Sequence, residues 1–248
     1  MIDKELIKLI EPGVLTTIYG PGGSGKTLLC MLLCKNFLEN SEDHIDSDNT
    51  DNPNNSNNLS KNQNDKIIYL DSEGGFSTDR FLQISNEEVL DKILFIKPKN
   101  FTEQKKAVNE ILQLINSKKN IKLVIVDTIA MQYRVEIANK ENENSYKNLN
   151  KELIRQISLL VEIARTKNIP VILTNQVYSD LETGKINMVG GEMLKYSSKC
   201  ILELIDISNE LDPNSSGLRL LKVQKHRSTA NKHFIFRIIG KGIEILQK

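Results

Sequence analysis

The chain has 248 residues, 39% of them hydrophobic and 5% aromatic with no Trp, which is enough for one sizeable core and points to one domain spanning residues 1–248. Apolar runs such as Leu123–Val126 and Val171–Leu173 are strand-length, far short of the roughly 20 residues a membrane span requires, and the start MIDKELIKLIEPG lacks a signal-peptide pattern, so a cytoplasmic protein without a membrane partner is expected. The net charge of +1 conceals an asymmetry: residues 41–65 carry six acids against one Lys, whereas residues 217–248 carry eight Lys or Arg against one Glu.

Short β-rich runs alternate with longer helical ones along the first three quarters of the chain. VLTTIYG (14–20) reads as a strand, followed by a Gly-rich turn and a helix from Lys26 to about Leu38. Residues 41–65, SEDHIDSDNTDNPNNSNNLSKNQND, offer almost nothing to bury and predict a disordered insertion between that helix and the next strand, KIIYLD (66–71). KILFI (92–96) is a third strand, leading to a helix near Thr102 to Asn116 with Thr102 as its N-cap and Glu103 in its first turn. KLVIVD (122–127) has the continuous apolar character of a strand buried on both faces of a parallel sheet. A helix over 148–167 leads through Pro170 into the strand VILTN (171–175). Beyond it, KCILELI, LRLLKVQ, HFIFRII and GIEIL are closely spaced strands without helices between them, which predicts antiparallel pairing. The fold class is therefore α/β, a mainly parallel central sheet with helices on both faces and an antiparallel C-terminal extension.

The three cysteines, Cys30, Cys34 and Cys200, sit in apolar surroundings and read as small core residues, since no second pair completes a metal site.

Gly20-Pro21-Gly22-Gly23-Ser24-Gly25-Lys26-Thr27 matches GxxxxGK[ST] in full, after a strand and at the opening of a helix. Glycines let backbone N–H groups turn inward around phosphates, and the helix start, including Leu28, adds a field that favours anions. Lys26 would reach the β- and γ-phosphates of ATP, and Thr27 would ligate Mg²⁺. Asp127, at the end of KLVIVD, is the second Mg²⁺ candidate. Glu73 follows the strand after the loop's helix and suits a general base for the attacking water, provided that strand adjoins the strand leading into the loop. Gln176, at the end of another core strand, could hydrogen-bond the γ-phosphate. Lys225, His226 and Arg227 lie in the basic C-terminal stretch, open either to DNA phosphates or to the γ-phosphate of a neighbouring subunit; a solvated basic turn is the third reading.

Taken in order, the loop, YLDSEGGFSTDR (69–80), LVIVDTIAMQYR (123–134), ILTNQV (172–177) and GGEMLKYSSK (190–199) resemble the RecA/RadA recombinase family over about Glu11 to Gln224. The resemblance implies a RecA-like P-loop ATPase core, with Glu73 as catalytic base, Gln176 as γ-phosphate sensor and Arg80 packing on adenine. Filament-forming members carry an N-terminal domain or a polymerisation segment, for which the dozen residues before the first core strand leave no room. Tyr178 to Val189 corresponds to the second DNA-binding loop but is shorter than in strand-exchanging members and lacks their usual residues. The chain is thus similar to a core-only archaeal paralogue of these recombinases: an ATP- and DNA-binding accessory protein of recombination and repair, with weak hydrolysis and little strand exchange. Single-stranded or branched DNA, and recombinase or junction-processing proteins, are the implied partners. The alternative is a KaiC-like regulatory ATPase, a family whose Lys-x-Arg pair Lys225 and Arg227 could match.

Overall fold

The computed structural model describes residues 4–39, 64–117, 120–139, 143–179, 186–208, 215–229 and 232–247. After a short N-terminal helix, α1 (Lys4–Ile7), the chain forms β1 (Leu15–Gly20), α2 (Lys26–Glu39), β2 (Asp65–Asp71), α3 (Thr78–Ile84), α4 (Glu87–Leu90) and β3 (Ile93–Ile96). It continues through α5 (Phe101–Asn116), β4 (Asn120–Asp127), α6 (Met131–Ala138), α7 (Glu143–Lys167), β5 (Val171–Ser179), β6 (Ile186–Met188) and α8 (Gly191–Ser197). Four strands close it: β7 (Cys200–Asp206), β8 (Leu218–Lys225), β9 (His233–Ile239) and β10 (Gly242–Gln247).

The ten strands of the described residues join one sheet in the order β10-β9-β8-β7-β1-β5-β4-β2-β3, with β6 paired to β5. The apolar run of β4 explains itself at the level of single residues. Leu123 and Ile125 enter the core on the α2 side, Val124 and Val126 the core under α5 and α7, and all four are fully buried. Sandwiched in this way, β4 is apolar from Leu123 to Val126, and the polar Asp127 stands at its end. Among the described residues no helix is long and apolar enough to cross a membrane. Cys30, Cys34 and Cys200 are free and buried, and burial pushes their thiols up, Cys200 to about 12.

Several boundaries differ from the sequence-based expectations. The cap of α5 is Asn100 rather than Thr102: Asn100 Oδ1 accepts from Glu103 N at 2.9 Å, and Glu103 Oε2 accepts from Lys99 N at 2.8 Å, two reciprocal bonds that Thr102 is placed too far along to make. α7 starts at Glu143, five residues before position 148, its first turn carrying a Glu143–Lys147 pair at 2.8 Å. β7 runs parallel to β1, so only β8, β9 and β10 form the antiparallel extension. Asp65 is not part of the insertion. It opens β2, is buried, and sits within 3.6 Å of Lys122 Nζ. The disorder expected for residues 41–65 otherwise falls on positions 41–63, outside the described residues, and Asn64.

Candidate nucleotide site

β1 delivers the chain to Gly20, where a Cβ would stand 2.1 Å from the carbonyl oxygen of Leu204 in β7. Only glycine permits so close an approach to the neighbouring strand. Gly23 and Gly25 follow at φ +73° and +102°, in the left-handed region where side chains are strained. Lys26 then opens α2, almost buried, with Nζ donating to Gly20 O at 2.9 Å and Pro21 O at 2.7 Å. The ammonium is thus folded back over the loop it ends. Burial lowers its pKa, opposed by the negative fields of Glu73 and Asp127. The first helical bond of α2 runs from Leu29 N to Gly25 O at 2.9 Å. The N–H groups of Lys26, Thr27 and Leu28 precede that ladder and are available to an anion at the helix start.

Asp127 is the hub of the site. It is buried, and its carboxylate accepts from Thr27 Oγ1 at 2.8 Å, from Tyr69 Oη at 2.7 Å and from Thr174 Oγ1. The donor set fits a hard cation: cis oxygens around an octahedral Mg²⁺ with bonds of 2.0–2.1 Å lie about 2.9 Å apart. Thr27 Oγ1 and Asp127 Oδ2 already stand 2.8 Å apart.

Glu73 reaches this place by an unexpected route. β2 does not adjoin β1; β5 and β4 lie between them. The segment after β2 instead arches across the end of β4, with Ser72 N and Glu73 N donating to Asp127 O at 2.8 and 3.4 Å. Asp71 shapes the arch, its carboxylate accepting from Gly74 N, Gly75 N and Phe76 N at 2.8, 3.1 and 3.3 Å. Gly75 comes to rest where a Cβ would lie 3.5 Å from Thr27 Oγ1. Glu73 Oε1 accepts from Gln176 Nε2 at 2.7 Å, and Gln176 Oε1 accepts from Arg134 at 3.2 Å. Partial burial raises the pKa of Glu73, Asp127 adds to the rise, and Lys26 and the Gln176 bond oppose it.

The remaining candidates are placed elsewhere. Arg80 turns its N–H edge to the β9–β10 turn, donating to Ile239 O and Gly240 O, each at 2.7 Å. Lys225 ends β8, an inner strand, paired with Ile201, which is itself level with Thr17 of β1. At about 3.3 Å per residue that puts it roughly 10 Å down the sheet from Gly20, at the end away from the phosphate loop. His226 departs from its expected role. Its side chain is 2% exposed and Nδ1 accepts from Ser228 N and Thr229 N at 3.2 and 3.1 Å, so the ring builds the turn instead of facing a phosphate. Arg227 is exposed but ion-paired with Glu11, and Lys225 Nζ donates to Lys195 O at 2.7 Å. Tyr178 lies in a hairpin, paired with Asn187 one step beyond the Val177–Met188 pair; residues 180–185 between its arms lie outside the described residues.

Sequence reasoning missed Tyr69, Asp71, Arg134 and Thr174. Each lies inside a quoted motif, but a hydroxyl near the end of an apolar strand reads as core until its carboxylate partner is known.

A parallel sheet with a phosphate loop after β1, a carboxylate ending β4 and a glutamate arching in from β2 defines a RecA/Rad51-type P-loop fold. The Rad51 family profile matches residues 55–245. The DNA repair and recombination protein RadB of Methanococcus maripaludis (strain C7) is 34% identical over 252 residues, covering 100% of this chain and 99% of that one. RadB of Methanocaldococcus jannaschii is 33% identical over 249 residues, covering 99% and 100%. The crystal structure of the RadB recombinase superposes with a TM-score of 0.72 at 32% identity, over 98% of this chain and 97% of that one. The chain belongs to the RadB family of DNA repair and recombination proteins. These matches favour the recombination reading over the KaiC-like one.

Proposed function

We propose that the chain binds ATP and DNA as an accessory protein of recombination and repair, with slow hydrolysis and little or no strand exchange of its own. The observation that carries this reading is convergence: Lys26 and Thr27 from α2, Asp127 from β4, Glu73 from the β2 arch and Gln176 from β5 meet at one end of the sheet. The names of the relatives supply the recombination setting.

In this reading the loop N–H groups and Lys26 hold the β- and γ-phosphates, and Arg80 offers a flat cationic face to adenine. Thr27 and Asp127 would hold Mg²⁺, which neutralises charge on the phosphate oxygens. Glu73 orients the attacking water and takes its proton, and Gln176, between Glu73 and Arg134, registers the γ-phosphate. The β5–β6 hairpin follows Gln176 directly, so a shift of that amide is felt at the start of the candidate DNA loop. Lys225 and Arg227 supply phosphate contacts to DNA, or to a nucleotide in a second subunit. Recombinase or junction-processing proteins are the natural protein partners.

The test is an anisotropy titration with single-stranded and branched DNA, with and without ATP-Mg²⁺. Binding that weakens steeply with salt is expected. No binding to either DNA at low salt, under both nucleotide conditions, overturns the DNA part of the reading.

A further inference from the structure

One buried cation remains outside this description. Arg219 lies in β8, paired with Asp206 of β7 and Phe236 of β9, on the face that packs toward α2. It is 9% exposed, and all three guanidinium nitrogens are engaged. Nη1 donates to Asp206 Oδ1, Ser208 Oγ and Leu218 O, each at 2.8 Å. The other two nitrogens cross to the phosphate loop, Nε to Ser24 O at 3.1 Å and Nη2 to Gly23 O at 3.3 Å.

We infer that Arg219 is the positioning residue that holds residues 23–25 in their anion-accepting conformation, making the antiparallel extension the floor of the nucleotide site. A trans peptide carries its C=O and N–H on opposite sides. With Ser24 O drawn toward Arg219, the Gly25 N–H faces away from β8, toward the start of α2. With Gly23 O drawn the same way, the Ser24 N–H closes the loop's own turn onto Pro21 O at 3.3 Å. One rigid fork thus sets two consecutive peptide planes.

Two features separate this from a general electrostatic role. The charge of Arg219 is matched at 2.8 Å by Asp206, and its guanidinium nitrogens all donate to protein oxygens, leaving geometry as its contribution. A lysine would keep the charge but could not span two carbonyls and a carboxylate in one plane. The surrounding strands act in the same sense: Leu204 O of β7 abuts Gly20, and a Cβ on Gly25 would meet Ile238 Cδ1 of β9 at 3.3 Å.

The inference rests on the reading of Gly20 to Thr27 as a phosphate loop, and the experiment separates the two. Arg219→Lys and Asp206→Asn are made in the full chain. Amide exchange at residues 22–26 is followed without nucleotide, and ATP-Mg²⁺ affinity is measured by calorimetry. Arg219→Lys should speed exchange in the loop and weaken ATP-Mg²⁺ on the order of ten- to hundred-fold, the loss of two charge-assisted bonds. Asp206→Asn, which loosens the fork without removing it, should show both effects at several-fold. Affinity within about two-fold of the unmodified chain in Arg219→Lys overturns the inference, as does weaker binding with loop exchange unchanged. Should Arg219→Lys fail to fold, Asp206→Asn decides by the same criteria. If the unmodified chain binds no ATP-Mg²⁺, the phosphate-loop reading falls, and the exchange arm still judges Arg219.

Discussion

Thr27 and Asp127, one hundred positions apart in the chain, meet at 2.8 Å where the first turn of α2 crosses the end of β4. Asp127 also accepts from Tyr69 and Thr174, so the carboxylate proposed to hold Mg²⁺ is also tied into the core. Asp127→Ala should therefore destabilise the protein by about 2–4 kcal/mol, because three hydroxyls lose their acceptor in a buried setting. Asp127→Asn keeps the shape and most of the stability but should lose the Mg²⁺ dependence of nucleotide binding. Urea unfolding and calorimetry with and without Mg²⁺ check both; equal nucleotide affinity with and without Mg²⁺ in the unmodified chain would remove Asp127 from metal binding.

Lys26→Ala should weaken ATP binding on the order of a hundred-fold, since the ammonium proposed to hold the β- and γ-phosphates is lost. The melting temperature should change little: the lysine's partners are carbonyls at the loop, and its burial already disfavours the charge. Calorimetry and a thermal melt on the same preparation decide it, and unchanged affinity removes the loop from ATP binding.

Glu73→Gln should keep ATP affinity and lose on the order of a hundred-fold or more in turnover, from an already slow rate. The raised pKa of Glu73 gives a second test. A base must be ionised, so turnover should fall with decreasing pH at a higher pH than the ordinary value of 4.5 implies. Gln176→Ala deletes a hydrogen bond that opposes the rise, so the acid limb should move higher still. For stability the sign is the reverse of the usual carboxylate: the folded state holds this proton more tightly, so the contribution is present below 4.5 and lost as pH climbs through the raised value. Phosphate release across pH measures the limb; an acid limb that Gln176→Ala leaves in place refutes the coupling.

Lys225→Ala with Arg227→Ala should flatten the log–log salt dependence of DNA binding by roughly one to two units, across sequences alike. Because Glu11 neutralises Arg227, Glu11→Ala should do the opposite and steepen the slope by up to about one unit. If Arg227 instead serves a neighbour's nucleotide, the double variant lowers ATP turnover and leaves the salt slope unmoved.

The phosphate loop was legible because everything it needs lies within eight consecutive residues: glycines at the two positive-φ positions, a lysine, and a hydroxyl at a helix start. The apolar run ending in Asp127 was legible for a similar reason, since burial on both faces leaves its mark residue by residue. The same signal could not say that two strands stand between β2 and β1, nor that Asp71 would bend the following turn far enough to bring Glu73 to Gln176. Nor could it separate Lys225 from His226, neighbours in the chain but an exposed cation and a buried turn-former in the fold. Arg219 shows the limit most plainly. In LRLLKVQ it reads as one polar residue in an alternating strand, and its partner carbonyl on Ser24 is 195 positions away. Periodicity records which residues are buried; strand order and register decide which buried groups meet, and those follow from how whole elements pack together.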